Sequence, residues 1–154
     1  MYHHIMAPLD GSKLAECVLP HVAEATKTCE ESRVTFIRVV EPLHLHEGFE
    51  TRIPVEERRR LEADSMEVAK KYLDQIIKQT KYDNITPQPT VLFGNVDDKL
   101  IEFAEEKEVD LIVIASHGRS GPSRWVWGSV ADRILRSACV PVLIVRAPGC
   151  VPGI

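Results

Sequence analysis

Leu111-Ile112-Val113-Ile114-Ala115-Ser116-His117-Gly118-Arg119-Ser120-Gly121-Pro122-Ser123-Arg124-Trp125-Val126-Trp127-Gly128-Ser129 is the stretch on which the reading of this chain turns. Its first four residues form an unbroken apolar, β-branched run, the pattern of a strand buried on both faces of a parallel sheet. After that run comes a loop rich in glycine, serine and arginine. The loop ends at Gly128-Ser129, where a helical pattern starts, and a helix start presents unpaired N–H groups and a dipole that favours an anion.

Working outward, similar short runs predict strands near 2–8, 33–40, 86–93, 110–115 and 141–146, separated by amphipathic helical stretches. Repeated βα units imply a single-domain α/β fold with an open parallel five-stranded sheet and helices on both faces. Leu14, Val18, Val22 and Ala25 are at helical spacing, but Pro20 interrupts them, so a kink or a late helix start is expected there. A second helix is expected to open at Pro54 and run to about Lys81, with Leu61, Ala69, Tyr72, Leu73 and Ile76 as its inward stripe. The charged run from Glu56 to Arg60 reads as its solvated face. The polar segment 41–53 is either an insertion or a lid, and mobility is expected there.

Pro87 and Pro89 cannot donate to a ladder and assign strand three to an edge, whereas Leu111–Ile114 belongs inside. Strand order 3-2-1-4-5 satisfies both placements with right-handed crossovers. It reverses direction between strands one and four, and ligands of such folds bind outside the carboxyl ends of the strands at the reversal. The last strand, 141–146, is then an unprotected apolar edge, and a homodimer pairing through it is the expected cover.

Composition bounds the function. The chain has 154 residues, 44% apolar and 27% charged, with a formal net charge of −4. That size gives one core, and that charge gives no reason to expect nucleic acid. No apolar run approaches a membrane span and no leader pattern precedes the first strand, so a cytoplasmic protein without membrane contact is expected. Cys17, Cys29, Cys139 and Cys150 form no CxxC pair and read as reduced thiols, not as a zinc site.

Two loops are expected to meet at the crevice: Pro8-Leu9-Asp10-Gly11-Ser12 after strand one, and Ser116 to Trp127 after strand four. Asp10 either closes a turn or contacts a ligand. Ser129 either caps its helix, in a capping box with Asp132, or offers its hydroxyl to a phosphate. His117 either orients a phosphate or carries a proton, or, as the commoner case, is held by a backbone hydrogen bond; no catalytic role is expected. Arg119 and Arg124 are either cations that stabilise phosphate charge or ordinary solvated loop arginines, Arg119 being the better placed of the two. Trp125 and Trp127 read as core or interface packing. His44, His46 and Glu47 lack a fourth ligand and read as surface residues, so no metal site is expected.

From Ala115 onward the sequence resembles the nucleotide motif of the universal stress proteins, Gly-x2-Gly-x9-Gly-(Ser/Thr), with Gly118, Gly128 and Ser129 in register and Ala115 in place of the first glycine. Ile5-Met6-Ala7-Pro8-Leu9-Asp10-Gly11-Ser12 resembles the family's first strand and loop, and Cys139 to Arg146 its closing strand. The resemblance implies a universal stress protein domain over 1–147, followed by a short tail, 148–154. It also implies an adenine-nucleotide site for ATP, ADP or AMP, with or without Mg, made of Pro8, Leu9, Asp10, Val40, Ala115, His117, Gly118, Arg119, Gly128, Ser129 and Val130. Asp10 would lie near ribose and adenine, backbone at Val40 near adenine, and the phosphates along 118–129. A glycine-to-alanine exchange at position 115 is expected to weaken or reshape binding. A dimeric regulatory switch is the leading expectation. A slow ATPase or adenylate-using hydrolase, and an interaction module that has lost its nucleotide, are the alternatives.

Overall fold

A computed structural model of the chain describes residues 2–27, 32–43, 53–80, 82, 85–117 and 128–146. Five strands form one parallel sheet: β1 (His4–Pro8), β2 (Arg33–Val40), β3 (Gln88–Phe93), β4 (Leu111–Ala115) and β5 (Val142–Val145), in the order β3-β2-β1-β4-β5. The four α-helices among the described residues are α1 (Leu19–Thr26), α2 (Val55–Gln79), α3 (Val96–Glu106) and α4 (Ser129–Ser137). The expected strand order and the edge and interior placements of strands three and four therefore hold. β4 is buried along its whole length, and Pro89 is tolerated in β3 because that strand has a neighbour on one side only, with Phe36 opposite Pro89.

Each face of the sheet carries its own core, as the alternation of strand side chains requires. Ile5, Ala7, Phe36 and Val113 point to one face with Val18, Val22 and Leu73 from the helical segments. Met6, Ile37, Ile112 and Ile114 point to the other, against Leu100, Ala104, Ala131 and Ile134. α3 and α4 are further tied by Arg133, 3.7 Å from Asp97 and 3.8 Å from Asp98.

Pro20 is accommodated by a late helix start. A 3₁₀ turn over Ala15–Val18 leads into α1, where the proline falls in the first turn and its missing N–H costs no hydrogen bond. Three expectations need correction. Pro54 caps α2 instead of opening it: with ψ 141° it is still extended, and the helix ends at Gln79, before Lys81. Leu61 does not face the core. It is 43% exposed, while Ala69, Leu73 and Ile76 are buried. The reason is that α2 runs back from the carboxyl edge of the sheet, so its first turns overhang that edge and only its later turns meet the core. The capping box does not form either, because Gly128 and not Ser129 occupies the N-cap of α4. His44, His46, Glu47, Cys29, Cys150, the tail 148–154 and most of the 41–53 segment lie outside the described residues.

Candidate functional site

The reversal between β1 and β4 opens into a cavity of about 760 Å³ at the carboxyl edge of the sheet. Its floor is made of the ends of three strands: Pro8, Leu9 and Asp10 after β1, Ile37 to Glu41 from β2, and Ile114 to His117 from β4. One wall is the start of α4, from Gly128 to Ala131; the opposite wall is the overhanging part of α2, through Leu61, Asp64, Ser65 and Val68. Val96 and Leu100 of α3 complete an apolar side.

Nine of the eleven residues expected at a nucleotide site line this one cavity: Pro8, Leu9, Asp10, Val40, Ala115, His117, Gly128, Ser129 and Val130. Gly118 and Arg119 lie outside the described residues, as do Arg124, Trp125 and Trp127. Each described residue has a local reason for its place. Leu9 is buried and its amide donates to the Ile37 carbonyl at 2.8 Å, which extends the β1–β2 ladder by one residue and carries Asp10 just past the sheet edge. Asp10 Oδ1 accepts from the Ser12 amide at 2.9 Å and the Ser12 hydroxyl at 2.6 Å. The turn-closing role is thus present while the residue also borders the cavity. The turn passes through Gly11, whose φ of +87° is left-handed and suits glycine.

At the second loop, Ala115 is an ordinary strand residue in register with Val145, and its methyl is buried in the core cluster with Val113 and Val145. No positive φ is required of it. His117 is buried, its Nδ1 3.1 Å from the Ser116 hydroxyl. Gly128, with φ −54° and ψ 143°, is the N-cap of α4, so Ser129 is the first helical residue and stands one position too late to cap. Asp132 turns instead to Arg136, 2.9 Å away. The Ser129 side chain is therefore not used as a cap, and the first amides of α4, which have no intrahelical acceptor, point toward the cavity end of the helix. Val40 ends β2, and its carbonyl accepts from the Gly94 amide at 3.0 Å.

The charges are mixed. Among the described lining residues, Asp10, Glu41 and Asp64 are acidic and Arg38 is basic. Behind the floor, Tyr72 lies under the Arg38 guanidinium, 5.3 Å from Cζ to the ring centroid, and its hydroxyl is 3.4 Å from Glu16. Burial pushes that hydroxyl above its ordinary range, the negative fields of Glu16 and Asp10 add to the effect, and Arg38 opposes it. No group of three metal-ligating side chains occurs among the described residues, and no described helix is long and apolar enough to cross a membrane.

The sequence reading missed the α2 wall and Arg38. Leu61, Ser65 and Val68 follow helical spacing, so a signal for one shared face was present. What the spacing lacked was the height of that face relative to the sheet.

The model of the universal stress protein family matches residues 1–146. The universal stress protein MJ0577 of Methanocaldococcus jannaschii is 26% identical over 156 residues, covering 95% of this chain and 96% of that protein. Its solved structure has the same fold, with a TM-score of 0.82 at 24% identity over 97% of this chain and 99% of the other. The universal stress protein A homolog 1 of Coxiella burnetii is 31% identical over 144 residues, 94% of this chain and 96% of its own. The universal stress protein from Archaeoglobus fulgidus, solved in complex with dAMP, shares the fold with a TM-score of 0.61 at 22% identity, covering 93% of this chain and 97% of that one. The motif residues, the strand order and a family match over nearly the full length lead to one conclusion: the chain belongs to the universal stress protein family.

Proposed function

We propose that this protein binds an adenine nucleotide, ATP, ADP or AMP, in the crevice at the β1/β4 reversal, and acts by occupancy as a dimeric switch in the cytoplasm. The observation that carries the reading is the convergence on one cavity of the Asp10 turn, the end of β4 and an α4 N-terminus without a side-chain cap. The parts suit the parts of a nucleotide. Ile37, Val39 and Leu43 with Val96 and Leu100 offer an apolar lining to a base, as small-molecule sites generally do. Asp10 offers a carboxylate to ribose hydroxyls. The α4 amides and the Ser129 hydroxyl offer donors to phosphate. Gly118 and Arg119 are assigned to the same phosphates by their place in the motif. The dAMP complex of the Archaeoglobus relative supports an adenine nucleotide as the class of ligand.

Ala115 does not argue for a lost site, because its methyl is packed into the core as any strand residue's would be. Mg would enter with the nucleotide and offset phosphate charge, since magnesium is commonly held by substrate oxygens plus one or two carboxylates and the described residues offer no metal-ligating cluster of their own. The dimer is assigned to the edge of β5, where Val142–Val145 is flanked on one side only and Leu143 is 40% exposed. Residues 1–147 are the universal stress protein domain of this proposal, and 148–154 a short tail.

Calorimetric titration with ATP, ADP and AMP tests the reading, together with mass spectrometry of nucleotide released from purified protein. Saturable binding of at least one of the three is expected. Flat titrations at millimolar ligand, with no nucleotide released, would overturn it.

A further inference from the structure

Arg38 projects from β2 to the same face as Phe36, two residues earlier in the strand, and so lies beneath α2. Its guanidinium makes two contacts that join separate parts of the site. On one side it lies over the Tyr72 ring of α2. On another it covers Gly11: a methyl built there would sit 3.1 Å from Nη1, 3.2 Å from Cζ and 3.3 Å from Nη2. The near equality of those distances means the planar group meets Gly11 face-on, because an edge-on approach would bring the nitrogens clearly nearer than Cζ.

Gly11 belongs to the turn that Asp10 closes through Ser12. Ser12 Oγ in turn accepts from the Ala15 amide at 3.2 Å, at the start of the 3₁₀ turn. Glu16 of that turn is bonded by Lys13 at 2.7 Å and by the Tyr72 hydroxyl. Tyr72 is one turn along α2 from Val68, which walls the cavity. Arg38 therefore touches the turn that carries Asp10 and the helix that carries the opposite wall, and it borders the cavity itself.

We propose that Arg38 is a positioning residue for the nucleotide, acting through Asp10: its guanidinium, face-on to Gly11 and within cation–π range of Tyr72, sets the distance between the Asp10 carboxylate and the α2 wall. The inference rests on the nucleotide-binding reading and adds to it the residue that orders the ribose side of the site. A planar cation is suited to this, since it is drawn to the face of an aromatic ring while its own flat side lies against a bare glycine.

The test is a double-mutant cycle read by calorimetry with ATP, ADP and AMP. Arg38→Met is expected to weaken all three by the same factor, about tenfold, and to cause no further loss once Asp10→Ala is present. Without ligand, amide hydrogen exchange at Ser12 is expected to speed up in Arg38→Met. Tyr72→Leu, which removes the ring without touching the cavity, is expected to weaken all three nucleotides in the same even way, and serves where Arg38→Met folds poorly. A loss that grows from AMP to ATP, full rescue by Arg38→Lys, or losses that add to those of Asp10→Ala would overturn the inference in favour of a direct phosphate contact. Unchanged affinity in a well-folded Arg38→Met protein overturns it alone. Wild-type protein that binds none of the three overturns the nucleotide reading and this inference together.

Discussion

The amide of Gly128 donates to the carbonyl of Ser116 at 2.8 Å, so the chain that leaves β4 returns to the end of its own strand before α4 begins. This contact places the helix start beside the Asp10 turn. It also gives Gly128 a structural reason for being glycine that is independent of any ligand. A Cβ there would stand 3.0 Å from the same Ser116 oxygen, a backbone atom that cannot swing aside.

Gly128→Ala should therefore be costly for steric reasons alone, since with φ −54° the backbone itself admits any residue. Overpacking of this kind costs about 1–3 kcal/mol, to be read as a lower midpoint in urea denaturation. Nucleotide affinity should fall with it, because relief of the clash moves the first turn of α4. A variant as stable as wild type would show that the loop end relaxes freely.

The α2 wall separates stability from binding. Leu61→Ala and Val68→Ala remove side chains that are 43% and 59% exposed and that border the cavity. They should change stability by less than about 0.5 kcal/mol, the usual range for surface sites, while weakening nucleotide binding. Leu73→Ala, further along the same helix and fully buried, should cost about 2–5 kcal/mol. Equal stability losses at Leu61 and Leu73 would contradict the overhang.

That contrast shows what could be read from the chain and what could not. The apolar run Leu111–Ile114 and the prolines at 87 and 89 sufficed for the sheet order, because burial on both faces and loss of a ladder donor leave few topologies. Helical period gave α2 a single stripe, but period reports which residues share a face and says nothing of where a helix passes the sheet edge. Leu61 and Leu73 thus looked equivalent. Likewise Ser129-x-x-Asp132 fits a capping box, yet helix registry shifted by one residue puts Gly128 at the cap. Arg38 sat unnoticed in an apolar strand, since its partners Gly11 and Tyr72 are distant in sequence.

His4, at the amino end of the central strand β1, links stability to pH. It is 4% exposed, with Nδ1 2.9 Å from the Lys107 carbonyl and 3.1 Å from the Arg33 guanidinium, and Nε2 2.8 Å from the Thr35 hydroxyl; a neutral ring donates from Nδ1 to the carbonyl and accepts from Thr35 at Nε2. Burial holds its pKa below the ordinary 6.5; the Lys107 carbonyl opposes, Arg33 adds to the lowering and Asp110 opposes. Phe103 packs edge-on against the ring. The unfolded chain therefore takes up a proton first as pH falls, and stability that is full above pH 6.5 declines below it toward the folded pKa. Urea midpoints measured from about pH 7.5 to 5 should fall, and His4→Gln should flatten part of that slope. An unchanged slope in His4→Gln would remove His4 from the account.

Ser129→Asp tests the α4 terminus with two readouts of opposite sign. The side chain is exposed at the first helical position and does not cap, so an introduced carboxylate meets the positive end of the helix dipole and should stabilise the fold by about 0.3–1 kcal/mol. The same charge competes with phosphate for the first amides and repels it. ATP affinity should therefore drop while the urea midpoint rises, and adenosine, which lacks phosphate, should be least affected. If adenosine and ATP lose affinity equally, the phosphates do not sit at this helix start and the orientation of the nucleotide must be reversed.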